Sequence, residues 1–206
     1  MGNIEDLVRR VSVLVEPMHD GFGYARLLVD ELGLPDEGDK RWLRTAHVRS
    51  EVYDYLCTQQ LDGWSLDRRR HGQNGAVHLS HDAGDLAVRL LREAPTAGGV
   101  PCAGSNELRR AYYRNQPYGQ LPLWGKAVKS SHNLLILWTE SEDEILLRMV
   151  RPVGPGTASR GVPIDLSAAL PRTRTDFEAM RFEVVDEDLE EETVMYDEED
   201  GSGGSA

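Results

Sequence analysis

The sequence predicts an α+β protein made of an N-terminal helical subdomain that carries a basic β-hairpin, a C-terminal small antiparallel sheet and a disordered acidic tail. Three observations predict it. Apolar residues recur at helical spacing from Ile4 to Leu56. Short apolar runs bounded by turn residues come later, between Leu134 and Val185. Beyond Val185 the chain turns to acids, Gly and Ser, with too little apolar area to offset the entropy of ordering.

Ile4, Leu7, Val8, Val11 and Leu14 share one helical face, with Asn3 as a cap, Glu5 and Asp6 suiting the first turn, and Pro17 expected to end the helix. A second helix is expected over 22–32, closed by Gly33 ahead of Pro35. Asp39 can cap a third through Trp42, Leu43, Ala46, Val52, Tyr53 and Leu56. Then comes LDRRRHGQNGAVHLSHD, from Leu66 to Asp82. Strand-like flanks at 64–68 and 76–80 around Asn74-Gly75 predict a β-hairpin near 64–80. Ser80 or Asp82 is expected to cap a further helix to Glu93, with Leu86, Ala87, Leu90 and Leu91 as its stripe.

The Gly- and Pro-rich PTAGGVPCAG, 95–104, reads as a loop or hinge between a mainly helical subdomain, 1–94, and a helix plus small antiparallel sheet, 105–185. In the second part Ser105 caps a short helix, and the runs at 134–138 and 144–150 flank a polar turn. The runs at 161–166 and 180–185 are expected to add one strand each. The tail, 186–206, is expected to be disordered.

A net charge of −12, from 23 bases and 35 acids, is concentrated in that tail, because 186–200 holds ten of the acids and no base. Residues 1–185 therefore carry 25 acids against 23 bases, nearly neutral. No run is long and apolar enough for a bilayer, and the N-terminus lacks a basic-then-apolar leader, so a cytoplasmic protein without membrane contact is expected. Cys57 and Cys102 are too few for a disulfide framework. Arginine outnumbers lysine 20 to three, which with the Ala, Gly and Asp usage suggests a GC-rich bacterial genome.

Catalytic signatures do not emerge. There is no G-x-S-x-G elbow, phosphate-binding glycine loop, HExxH or paired-cysteine motif, and no cofactor is called for. His71, His78, His81 and Asp82 are the candidate metal ligands, but on a strand His78 and His81 fall on opposite faces. The stronger signal is basic. Arg68, Arg69 and Arg70 sit in the hairpin, and Arg109, Arg110 and Arg114 interleave with Tyr112 and Tyr113, a mixture suited to protein interfaces or to stacking on bases.

These features predict a non-enzymatic regulatory or adaptor protein acting through protein–protein contacts, its acidic tail offered to a basic partner or folded back on a basic face of its own body. The alternative is a winged-helix-like DNA-binding regulator whose tail modulates binding. In that reading the third helix presents Arg41, Arg44 and His47 as an exposed stripe, although 1–100 carries 12 bases against 16 acids. A metal-dependent nuclease or other hydrolase is the third reading.

Overall fold

The helical spacing at the N-terminus becomes three helices in the computed structural model, which describes residues 4–35, 38–95, 97–115, 132–141 and 144–180. They are α1 (Ile4–Ser12), α2 (Val15–Glu31) and α3 (Arg41–Thr58). Pro17 does not end a helix as expected. It lies in the first turn of α2, where its missing N–H has no intrahelical acceptor to lose. Gly21 lets α2 approach α3 closely, since a Cβ there would lie 3.1 Å from the Tyr55 ring.

Six strands follow in one mixed sheet whose spatial order is the chain order. They are β1 (Trp64–Leu66), β2 (His78–His81), β3 (Leu86–Arg92), β4 (His132–Glu140), β5 (Ile145–Pro152) and β6 (Ile164–Leu170). Every neighbouring pair is antiparallel except β3 and β4, which run parallel in register from Leu86↔His132 to Arg92↔Trp138. The sheet is thus continuous across 95–104, and the expected small sheet is one half of a larger one.

The basic stretch folds differently from the expected tight hairpin. Its flanks do pair as β1 and β2, but a helix, α4 (Arg68–Asn74), fills the connection. Asp67 caps it, its Oδ1 accepting from Arg70 N–H at 3.0 Å. Gly75 closes it at φ 63°, so the Asn-Gly signal marks a helix end rather than a hairpin turn; both need a residue at ease with positive φ. The tight turn lies one element later, between β2 and β3, where Gly84 N–H bonds His81 O.

The helix expected up to Glu93 is strand β3. LAVRLLR satisfies a period of two as well as it does the helical stripe: Leu86, Val88 and Leu90 are buried on one face, Ala87, Arg89 and Leu91 lie on the other. Pairing on both edges, with β2 and β4, decides between them.

α1, α2, α3 and a late helix, α6 (Arg174–Ala179), pack on the first face of the sheet. There Phe22 of α2 meets Trp138 of β4 with ring centroids 5.5 Å apart. The second face carries a smaller apolar cluster of Val100, Ala103, Tyr113, Leu135, Leu137, Val150 and Val162. It is covered in part by α5 (Glu107–Tyr113), whose Asn106 cap accepts from Arg109 N–H at 3.1 Å. The β4–β5 hairpin and a strand following Gly161 form as expected. The strand expected over 180–185 and the tail 186–206 lie, after Met180, outside the described residues. Among the described residues no helix is long and apolar enough to cross a membrane.

Candidate functional site: an arginine cluster on the second face

The β2–β3 register places His78 directly opposite Arg89, with both side chains on the second face. α5 brings Tyr112 against His78, ring centroids 6.0 Å apart and edge-on. Tyr112 donates its hydroxyl to Leu134 O at 2.8 Å, which pins α5 to the parallel seam between β3 and β4. From the other side α4 delivers Arg70, whose Nη1 lies 3.0 Å from His78 Nδ1. A guanidinium only donates, so Nδ1 accepts and the imidazole is neutral.

Electrostatics follow from that packing. Burial, then the charges of Arg89 and Arg70, push His78 down to about 4. Burial pushes the Tyr113 hydroxyl up to about 12 and moves Tyr112 in the same direction. Arg89 is drawn below the usual arginine value by burial and then by the charge of Arg109, with Arg49 of α3 adding to it. Burial alone does the same to Arg49.

The arginines elsewhere in the body set the contrast. Arg44 binds Glu140 at 2.7 Å and Asp30 at 2.8 Å, Arg10 binds Asp85 at 2.8 Å, Arg148 binds Glu93 at 2.8 Å, and Arg151 pairs with Asp165. Among the described residues Arg89 and Arg109 pair with no carboxylate, nor do Arg49 on α3 and the exposed Arg41, Arg68, Arg69 and Arg114; of these, Arg89 is the one half-buried on the second face. A cation withdrawn from water without a counter-charge is costly. An anionic ligand arriving here would supply the missing charge and the acceptors.

The residues singled out from sequence divide accordingly. Arg70, Arg109, Tyr112 and Tyr113 come together around His78 and Arg89. Arg68 and Arg69 are exposed on α4, Arg110 lies 3.7 Å from Glu107, and Arg114 is exposed. The candidate metal ligands do not converge, and no group of three such residues forms among the described residues. His71 stacks on Tyr53 with centroids 3.6 Å apart, His81 sits edge-on to Trp64, and Asp82 accepts from Ser65. The expected stripe of Arg41, Arg44 and His47 is broken, because Arg44 is 5% exposed and held in its ion pairs. α3 turns Val48, Val52 and Leu56 to the core and keeps Arg41, Trp42 and Asp54 exposed.

Arg89 does not stand out from sequence as a site residue. The signal for Arg89 was the alternation in LAVRLLR.

A groove of about 470 Å³ between β5 and β6 has its polar groups already matched to protein partners. His19 donates to Leu170 O at 2.9 Å, Arg148 pairs with Glu93, and Arg172 lies 3.1 Å from Glu144. No family model, curated protein or solved structure matches the chain. What the fold and the cluster define is a class: an α+β protein whose second face carries a half-buried arginine, Arg89, with no paired carboxylate among the described residues.

Proposed function

We propose that the chain is a cytoplasmic regulatory or adaptor protein that acts by noncovalent contact, its body holding an anionic segment of a protein partner at Arg70, Arg89 and Arg109. The observation that carries this reading is Arg89, half-buried opposite His78 on the second face and pairing with no carboxylate among the described residues. A carboxylate-rich peptide suits the site better than a duplex. The cluster is small, half-buried Arg89 with exposed Arg70 and Arg109 beside it, whereas duplex DNA needs a broad basic surface, and 1–100 is acidic by four charges.

The test is fluorescence anisotropy with two labelled probes, a glutamate-rich peptide and a random-sequence DNA duplex, on the full chain. The peptide is expected to bind saturably and to weaken with salt. Arg89→Met should reduce its affinity about ten- to a hundredfold, the worth of a hydrogen bond to a charged group at about 1.5–3 kcal/mol. The same variant is expected to be as stable as the parent or more so in urea, because it removes an uncompensated buried cation. Tighter binding of the duplex than of the peptide would replace this reading with the DNA-binding regulator.

A further inference from the structure

Resting on the reading that the arginine cluster holds an anionic segment, we propose that the segment seated there in the free protein is the chain's own residues 186–200, DEDLEEETVMYDEED. Charge complementarity is the first argument. The segment holds ten acids and no base, and Arg89, half-buried, and Arg109, exposed, pair with no carboxylate among the described residues. Arg10, Arg44, Arg148 and Arg151 are already matched by carboxylates of the body; Arg41, Arg68, Arg69 and Arg114 pair with none among the described residues but stand exposed at the surface, where water screens the contact.

Reach is the second argument. The last described residue, Met180, follows α6, which packs on α1 and α2 at the first face. β6, the strand that leads into α6, lies four strand positions from β2 in the sheet order. That is about 19 Å at about 4.8 Å per strand, with about 10 Å more to pass to the other face. Ten extended residues span about 33 Å. Glu190 is ten residues beyond Met180, so Glu190–Glu192 and Asp197–Asp200 come within reach of the cluster. A partner must then displace the tail to bind, which makes the tail a built-in competitor. A tethered segment acts at an effective concentration of about 1 mM. If its own Kd for the site is about 0.1 mM, it weakens a competitor about tenfold.

The experiment compares the full chain with a full-length variant in which Glu190, Glu191, Glu192, Glu198 and Glu199 become Gln and Asp197 and Asp200 become Asn. The readout is binding of the same labelled glutamate-rich peptide. The neutralised chain is expected to bind about tenfold more tightly at low salt, with the gap closing near about 0.5 M salt as screening removes the tail contact. Arg109→Gln, at an exposed position where folding is not at stake, is expected to narrow the gap, as is Arg89→Met. Equal affinity of the two chains would overturn tail docking and leave the binding reading standing. Binding by neither would overturn both. A gap unchanged by Arg109→Gln and Arg89→Met would also overturn the inference, since the tail would then dock elsewhere.

Discussion

His78 has its Nδ1 filled by an Arg70 donor and its ring against Tyr112, and with only 7% of its surface exposed it has no route to water for a charge. In the unfolded chain the imidazole takes up its proton near about pH 6.5; in the folded one it does so near 4. Between those values the unfolded state binds more protons, so this contribution to stability is complete above about pH 6.5, falls as pH drops through the window and levels off below about 4. The shift sets an upper bound of about 3 kcal/mol. His132, lowered by burial and then by Arg151 and Arg10, acts in the same sense. Urea midpoints measured at pH 7 and pH 4.5 for the parent and for His78→Asn test this. The variant is expected to lose less stability between the two pH values, and equal losses would place the pH dependence in other groups. Arg44 and Arg89 give the other residue-scale contrast. Both are drawn out of water, but Arg44 is met by Glu140 and Asp30 while Arg89 is left to His78, the tyrosines and other arginines.

At the scale of elements, α4 determines whether the site is assembled. A seven-residue helix is too short to persist on its own, so its caps and its packing hold it. Asp67 does two jobs, accepting from Arg70 N–H at 3.0 Å and pairing with the Arg70 guanidinium at 3.2 Å. Asp67→Ala is expected to cost about 1 kcal/mol of stability, the usual worth of an N-cap. It should also speed amide exchange across 68–74 while leaving the strands protected, measured by hydrogen exchange. Unchanged exchange there would mean that the stacking of His71 on Tyr53 suffices to hold α4. The same element shows why the site was half legible. Three consecutive arginines announce a basic feature, but whether they end on a strand or a helix depends on Asp67 and Gly75, and an Asn-Gly pair serves either outcome. LAVRLLR shows the same ambiguity between periods, which its seven residues are too few to settle.

On the scale of the whole molecule, the parallel pairing of β3 with β4 ties the segment before 95–104 to the segment after it along seven registered pairs. The first-face core draws on both, with Phe22 and Val52 beside Trp138 and Phe177. One cooperative unit is expected. Urea unfolding followed by tryptophan fluorescence and by far-ultraviolet circular dichroism should give coincident midpoints. Two separated transitions would instead show that 1–94 and 105–185 fold as independent subdomains. Tryptophans on β1 and β4 make the fluorescence sensitive to both halves.

The α+β class, the three N-terminal helices, the β4–β5 hairpin and the acidity of the last residues were all set by local pattern. Periodicity, turn residues and charge are properties of neighbours along the chain, and no contact at a distance is needed to read them. The tertiary structure alone decided which arginines are answered. Arg44 and Arg49 are five residues apart on α3 and look alike as polar positions of a helix, yet one meets Glu140, 96 residues away in sequence, and the other meets no carboxylate among the described residues. Counter-charges arrive from strands distant in the chain, and burial is a property of the assembled layers. The cationic site is therefore the product of a sheet register and two short capped helices, and it exists only once β2, β3, α4 and α5 are in place.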